Sequence, residues 1–322
     1  MAAAHMELLC WRGDWGLPSV DSGCLIVMAY AHFSNAPVKL KKTGNPRESL
    51  TGCLPILKSG EKTISKPLNI LNCFRKEQYN ADYDLSPKQG ADTMAFVALI
   101  EEKLFPALLH TFWVDDQNYT GVTRPWYAST MPFPFNMLAP YRSSRQALTR
   151  LKLSVGRPPY MSLAEMEAQI YWDAKECLNL LSFQLGEKAF FFGEMPSSLD
   201  AVVFGHLAPL LKAPLLTKKL QLHLKAIENL CAFCERVLMR CFPGQAPVNF
   251  PLSGSPAGPN QQDAKLRKLT QLVNMESNLI EKMDGNLRAS PKVARREMSN
   301  PSMTASTPTE NGAPSPFLLP SA

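Results

Sequence analysis

The sequence predicts a protein of the α/β plus all-α class, in which a thioredoxin-like module precedes an all-helical domain. Three observations lead to this prediction. Short apolar runs and helical patterns follow one another along the first part of the chain in the order β-α-β-β-β-α. Pro55 introduces an apolar strand, at the place where thioredoxin-like domains carry a cis-proline beside their ligand groove. From Ala91 onward, apolar residues recur at the spacing of amphipathic helices.

The elements of the first module follow from local patterns. Residues 6–12 predict a strand, and Asp21 or Ser22 can cap a helix that the residues 35–37 end. Residues 38–42 alternate apolar and basic side chains, which predicts a strand exposed on one side. After Pro55 we expect a polar turn at 58–62, a further short strand and a helix that opens at Ser65.

The second module is predicted to be helical throughout. Pro106 is expected to bend or end its first helix, and Gly186 ends a long amphipathic helix over 163–185. Ser197 and Asp200 form a variant of the capping box before an apolar run, and residues 220–241 predict one more helix.

Composition sets the domain boundaries. We expect a thioredoxin-like domain at residues 1–78, a linker at 79–89, an all-helical domain at 90–242, a linker at 243–260, an amphipathic helix at 261–288 and a disordered tail at 289–322. The amphipathic helix alone is marginal, so a partner or the body of the protein is expected to stabilise it.

Charge and hydropathy exclude several classes of function. The formal net charge is +6, but Lys and Arg are dispersed and form no dense run with aromatic residues, so nucleic-acid binding is not expected. No apolar run reaches the about 18–20 residues that a transmembrane helix needs, since Pro209 and Pro214 interrupt 199–216. Membrane association is therefore expected through partners, with direct surface contact by 261–288 left open.

The thioredoxin-like prediction raises the question of glutathione or thiol chemistry. A redox site needs Cys-x-x-Cys at the start of the first helix, where only Cys24 is present. A glutathione site places an acid or amide before the serine of the following helix, whereas Ile64 precedes Ser65. Cys10 and Ser19 are weak candidates for thiol activation. Pro55 and Ser65 would be remnants of a glutathione groove, and we expect no enzyme activity and no cofactor. The alternative is a glutathione-dependent transferase or another thiol-handling enzyme.

The eight cysteines are interpreted as reduced and structural, because Met1–Trp15 lacks the features of a secretory or matrix-targeting segment. Cys231 and Cys234 form the only Cys-x-x-Cys pair, and no second ligand pair follows a zinc-site spacing. No metal site is therefore expected.

An aromatic-rich segment spans residues 110–135. Its rings can pack between helices, or they can form a docking surface, since aromatic residues and Arg are enriched at interface hot spots. The candidate interface residues in this segment and in the predicted tail helix are Phe112, Trp113, Arg124, Trp126, Tyr127, Phe133, Phe135, Leu269, Val273 and Ile280.

Several stretches together resemble the metaxin family: residues 6–20, residues 76–93, His110-Thr111-Phe112-Trp113 with Met131-Pro132-Phe133-Pro134, and Phe190-Phe191-Phe192-Gly193 with Ser198-Leu199-Asp200-Ala201. The resemblance covers about residues 6–242. It implies a glutathione-transferase-like body without enzyme activity, peripheral on the cytosolic face of the mitochondrial outer membrane. It also implies a role in protein import and β-barrel sorting, with other metaxins and the β-barrel core of the sorting and assembly machinery as partners.

Overall fold

The computed structural model describes residues 6–44, 54–60, 62–154 and 163–245. All of these residues belong to one compact unit. The predicted helix at 261–288 and the tail at 289–322 lie outside the described residues, and so does most of the predicted linker at 243–260.

A four-stranded sheet forms the first part of this unit. Its strands are β1 (Met6–Trp11), β2 (Val38–Thr43), β3 (Ile56–Ser59) and β4 (Lys62–Ile64), in the order β2-β1-β3-β4. β1 runs parallel to β2 and antiparallel to β3, so that Leu8 lies opposite both Leu40 and Leu57. The parallel pair is joined by helix α1 (Ser22–Phe33), and helix α2 (Pro67–Lys76) follows β4. The Leu54–Pro55 peptide bond is cis, as the sequence predicts.

Helix α1 begins where the sequence places it. Asp21 is the N-cap, and its carboxylate accepts a hydrogen bond of 2.8 Å from the backbone N–H of Cys24. The helix is buried along most of its length and packs against the helical part of the protein. It is therefore a core helix that joins the two parts.

Two details of the first module differ from the prediction. β2 is the edge strand, and residues 39–42 are exposed on both faces rather than on one. Lysines on an edge strand oppose further strand pairing, which accounts for the basic residues there. Helix α2 begins at Pro67 rather than at Ser65, because proline is favoured at the first helical position.

The rest of the unit is helical. Its helices are α3 (Pro87–Leu99), α4 (Phe105–Leu109), α5 (Asp116–Asn118), α6 (Arg124–Thr130), α7 (Phe135–Ser154), α8 (Leu163–Leu185), α9 (Ser198–Lys212), α10 (Lys219–Lys225) and α11 (Glu228–Cys241). The predicted fold class is thereby confirmed. Helix α9 lies at the centre, with all but its last residue buried. None of the described helices combines the length and apolarity that a bilayer span requires.

Three wide π-helical turns interrupt the segment between α3 and α6, at Ile100–Leu104, His110–Val114 and Tyr119–Thr123. Pro106 and Pro125 each follow one of these turns, at the start of the next helical stretch. Proline cannot donate a helical hydrogen bond, and a wide turn accommodates the missing donor. Pro106 thus changes the winding of the helix, in line with the predicted bend.

Two predictions about the helices were wrong or incomplete. Helix α7 was not predicted. Residues 220–241 form two helices, because Ile227 has non-helical backbone angles. Leu224 and Leu230 are both buried, yet six residues apart they would lie on different sides of one continuous helix. The break lets both side chains reach the core.

Candidate functional site

The remnant glutathione groove would lie where Pro55, the first turn of α1 and the start of α2 meet. These elements are in direct contact at Gly23. A Cβ atom built on Gly23 would lie 3.1 Å from Cγ of Pro67 and 3.2 Å from Cδ of Pro55. The two proline rings therefore pack directly on the first turn of α1, and Pro55 is buried there.

The start of α2 is poor in groups that could hold a peptide ligand. Ser65 is partly buried in the short connection between β4 and α2, and Ile64 precedes it. Lys66 is the N-cap and makes no side-chain capping bond. Pro67, at the first helical position, has no N–H to offer to a carboxylate.

The candidates for thiol activation are enclosed. Cys10 and Ser19 are fully buried, and Ser19 Oγ accepts a hydrogen bond from the backbone N–H of Asp21. Burial, followed by the hydrogen bond that the Cys24 thiol donates to Cys10, holds the pKa of Cys24 well above its usual value. A buried neutral thiol is a poor nucleophile.

The acidic side chain at the start of α1 is that of its N-cap, Asp21. Burial raises the pKa of this carboxyl group, while hydrogen bonds from Cys24 and Gly23 oppose the rise. Thiol-handling folds use a helix N-terminus to stabilise a thiolate. Here a carboxylate already accepts the N–H of Cys24, so a thiolate beside it would meet a like charge.

The aromatic residues of the predicted docking segment are divided between an internal cluster and the surface. Tyr127 contacts Trp11 of β1 with ring centroids 5.2 Å apart, and Trp113 with ring centroids 5.1 Å apart. Trp126 lies 6.4 Å from both Trp11 and Trp15. These edge-to-face and tilted ring contacts stabilise the junction between the sheet and the helices. Trp113, Trp126 and Tyr127 therefore serve internal packing.

Other candidates face solvent. Arg124 is exposed, Phe133 is 79% exposed, and Phe112 and Phe135 are partly buried against the core. Sequence reasoning missed three further apolar residues on the first turns of α7. With Phe133 they form what we call the α7 apolar face, which consists of Phe133, Met137, Leu138 and Tyr141. The Met131–Tyr141 run contained this signal, but its prolines concealed the helix. Leu269, Val273 and Ile280 lie outside the described residues.

The cysteine pair lies on α11, where Cys234 is buried and Cys231 is partly buried with its thiol 3.3 Å from the carbonyl oxygen of Leu224. Burial raises the pKa of both thiols. In the part of the chain that the structure describes, no three His, Cys, Asp or Glu side chains come together as metal ligands.

The predicted linker at 79–89 is firmly held at Asp82. One carboxylate oxygen accepts hydrogen bonds from Arg75, at 3.1 Å from Nε and 2.7 Å from Nη2. The other oxygen accepts the backbone N–H of Ser198, the first residue of α9, at 2.7 Å. Asp82 therefore ties α2 to the central helix.

The arrangement defines a class of protein: a glutathione-transferase-like fold with a crowded ligand groove. Residues 174–237 match the family model of the glutathione S-transferase C-terminal domain. Residues 24–144 match the family model described as Tom37, an outer mitochondrial membrane transport complex protein. Among solved structures, glutathione transferase F7 from Populus trichocarpa has 15% sequence identity and a TM-score of 0.47, covering 76% of this chain and 100% of that one.

The curated relatives are much more similar in sequence. Metaxin-3 of Xenopus laevis is 55% identical over 294 residues, which are 91% of this chain and 94% of the relative. Metaxin-1 of Mus musculus is 50% identical over 279 residues, which are 86% of this chain and 88% of the relative. The chain belongs to the metaxin family.

Proposed function

We propose that the chain is a non-catalytic subunit of protein import at the mitochondrial outer membrane, where it takes part in β-barrel sorting and assembly by docking to other proteins. The observation that carries this proposal is its membership of the metaxin family together with the match of 24–144 to an outer mitochondrial membrane transport family. The partners we propose are other metaxins and the β-barrel core of the sorting and assembly machinery.

The crowded groove supports the non-catalytic part of the proposal. The rings of Pro55 and Pro67 pack on Gly23, and the Asp21 carboxyl group occupies the helix start where a thiolate would need stabilisation. A tripeptide thiol would have to displace these contacts.

The α7 apolar face supports the docking part. Phe133, Met137, Leu138 and Tyr141 expose between 53% and 79% of their surface; Phe133 lies just before α7, and the other three lie on its first turns. A contiguous exposed apolar patch of this kind is typical of a protein interaction site. Arg124, also exposed, adds a side chain that is enriched at hot spots. The tail-helix residues Leu269, Val273 and Ile280 are proposed as a second contact.

The test is mild cross-linking and pull-down of the tagged full chain from mitochondria. We expect wild type to recover subunits of the assembly machinery, and the double variant Phe133→Ser/Met137→Ser to recover much less. Phe183→Ser is the matched control, because Phe183 is 87% exposed on α8 and its replacement removes a similar apolar side chain elsewhere. Recovery of no assembly subunit by wild type would count against the function, and equal loss in the control would count against the α7 apolar face.

Localisation is tested separately. We propose peripheral attachment on the cytosolic face of the outer membrane. Carbonate extraction should release the protein from mitochondria, and external protease should degrade it without rupture of the outer membrane. Resistance to either treatment would contradict this assignment.

The position of Pro55 beside the first turn of α1 favours one second candidate, a glutathione-dependent enzyme. Isothermal titration calorimetry of the chain with glutathione distinguishes the two functions. Saturable binding that Ser65→Ala abolishes would support the enzyme, whereas the proposed docking function predicts no saturable heat.

A further inference from the structure

A cavity of about 80 Å³ lies between the start of α1 and the helical part of the protein. We call it the α1 cavity. Its wall is largely aromatic, with Trp15, Phe105, Phe112, Trp113 and Tyr127 among the lining residues. These rings are partly exposed, so the cavity is reached from the surface. A buried water occupies about 10–15 Å³ on the same scale, so the cavity has room for a group of about five heavy atoms.

Ser22 and three further polar side chains also line the α1 cavity. Thr123 is 3% exposed, and its hydroxyl is buried without a hydrogen-bond partner within the described part of the chain. A buried unpaired hydroxyl is costly, and such groups mark sites where a partner is absent. His206 is 6% exposed, with Nδ1 2.8 Å from the carbonyl oxygen of Val202. Nδ1 must therefore carry the proton, which leaves Nε2 as an acceptor. The third side chain is Asp21.

Asp21 is the acidic residue of the lining; burial raises the pKa of its carboxyl group, and hydrogen bonds from Cys24 and Gly23 oppose the rise. The lining contains neither lysine nor arginine. Among the described residues, Asp21 forms no ion pair. Burial lowers the pKa of His206, so its ring stays neutral near pH 7. The lining itself therefore offers an anion no positively charged side chain.

We propose that the α1 cavity binds an alkylammonium group, with Asp21, Thr123 and His206 as acceptors and the aromatic rings around the cation. A primary ammonium has three N–H donors and no acceptor, which matches a carboxylate, a hydroxyl oxygen and a neutral imidazole nitrogen. The faces of Trp and Tyr rings attract such a cation, most strongly where water is excluded. Phe105 already has the Arg150 guanidinium over its ring at 4.6 Å, so the contribution comes from the other rings.

The ammonium group has two possible sources, a small free amine and a lysine side chain of another polypeptide. Both have the chemistry that the cavity recognises. This assignment does not depend on the proposed import function, because a ligand cavity at this place is compatible with either a docking protein or an enzyme.

The experiment is isothermal titration calorimetry of the full chain with n-butylammonium chloride at constant ionic strength. The neutral n-butanol has a chain of the same length and controls for apolar binding. We expect saturable binding of n-butylammonium, and affinity for n-butanol at least about tenfold lower because the charge-assisted hydrogen bond is lost. Absence of saturable n-butylammonium binding, or equal binding of n-butanol, would overturn the proposal without any variant.

Two variants assign the residues. Asp21→Asn retains a side chain that caps helices equally well, so α1 should still form while affinity falls about tenfold or more. Thr123→Val keeps the shape and removes the hydroxyl, with an expected loss of a few-fold. Asp84→Asn removes the same charge from an exposed position and should bind as wild type does. Unchanged affinity in Asp21→Asn would contradict the assignment.

A second titration, with Nα-acetyl-lysine amide, distinguishes the sources. Affinity at or above that of n-butylammonium indicates a lysine side chain, and lower affinity indicates a free amine. Either order supports the ammonium assignment, whereas binding of neither ligand rejects it.

Discussion

Substitution of Asp82 is expected to destabilise the fold more than substitution of most other partly exposed residues. Replacement by alanine removes two contacts at once: the acceptor for the Ser198 N–H at the start of α9, and the partner of the Arg75 guanidinium. Because α9 is the central helix and α2 packs on the sheet side, the loss weakens the connection between the two parts of the fold. Tyr30 lies in the same cluster, with its hydroxyl 3.5 Å from the Asp82 carboxylate.

The magnitude follows from the geometry. Removal of a side-chain acceptor at a helix N-terminus costs about 1 kcal/mol. Two N–H groups of Arg75 donate to the same carboxylate oxygen of Asp82. The Arg75 side chain is 33% exposed and that of Asp82 is 14% exposed, so solvent screening reduces the contribution of this ion pair to about 1 kcal/mol. The sum of about 2 kcal/mol corresponds to a fall in Tm of about 4–8 °C for a body of this size.

Urea unfolding and thermal melting followed by circular dichroism measure this loss. Asp84→Ala is the matched control, because Asp84 is exposed in the same segment and should change stability by less than about 0.5 kcal/mol. Asp82→Asn retains an acceptor for Ser198 and should lose about half as much as Asp82→Ala. If Asp82→Ala and Asp84→Ala unfold at the same urea concentration, Asp82 does not tie the two parts together.

Three more outcomes are expected. Gly205→Ala should lower the free energy of unfolding by about 1–3 kcal/mol in urea melts, because the new Cβ would meet Ile26 and lie 2.8 Å from the Ser22 carbonyl oxygen. Gly90→Ala, which has open space around it in α3, should raise the free energy of unfolding by up to about 1 kcal/mol. Burial lowers the pKa of His206 below 6.5, so the unfolded chain takes up a proton that the folded chain excludes. The free energy of unfolding should therefore fall as pH drops below about 6.5, with a smaller slope in His206→Gln, and parallel pH curves would show that His206 is not responsible. Burial raises the pKa of Cys177 to about 12, so iodoacetamide at about pH 8 should leave it unmodified in the folded protein, as mass spectrometry would detect, until urea unfolds the chain.

The sequence predicted the elements whose signals are local. The proline before an apolar strand predicted the cis bond at Pro55, and Asp21 predicted the start of α1. Ser197 and Asp200 form the expected capping box, in which Asp200 accepts hydrogen bonds from both the backbone N–H and the hydroxyl of Ser197. In each case the residue type and its neighbours within one helical turn determine the backbone.

The parts that were missed depend on contacts distant in sequence. Helix α7 contains Pro140 and begins after Pro132 and Pro134, and its first turns expose apolar side chains, so neither composition nor periodicity indicates a helix. The break before α11 occurs at Ile227 without glycine or proline, because two buried leucines must reach the same core. Only the packed structure sets these requirements.

The candidate site was predictable only in part, for the same reason. Ile64 before Ser65 was visible as a departure from a glutathione site, but the closure of the groove at Gly23 depends on residues more than thirty positions apart. The aromatic segment was recognised, yet its division into internal rings and the α7 apolar face could not be read from residue types. The meeting of Asp21 with Thr123 and His206 spans most of the described chain and has no sequence signal.

The electrostatics at the start of α1 connects the predicted lack of thiol chemistry with the proposed ligand of the α1 cavity. A thiolate and an ammonium group make opposite demands on the same place, since the first requires nearby positive charge and the second requires acceptors. Asp21 supplies a carboxylate there, and its N-cap bond to Cys24 fixes the position of that charge. The titrations with glutathione and with n-butylammonium therefore both test the role of the Asp21 carboxyl group. Saturable glutathione binding in Asp21→Asn but not in wild type, together with weaker n-butylammonium binding, would show that this single carboxyl group sets the ligand charge that the fold accepts. If the substitution moves both affinities in the same direction, the effect is one of packing rather than of charge.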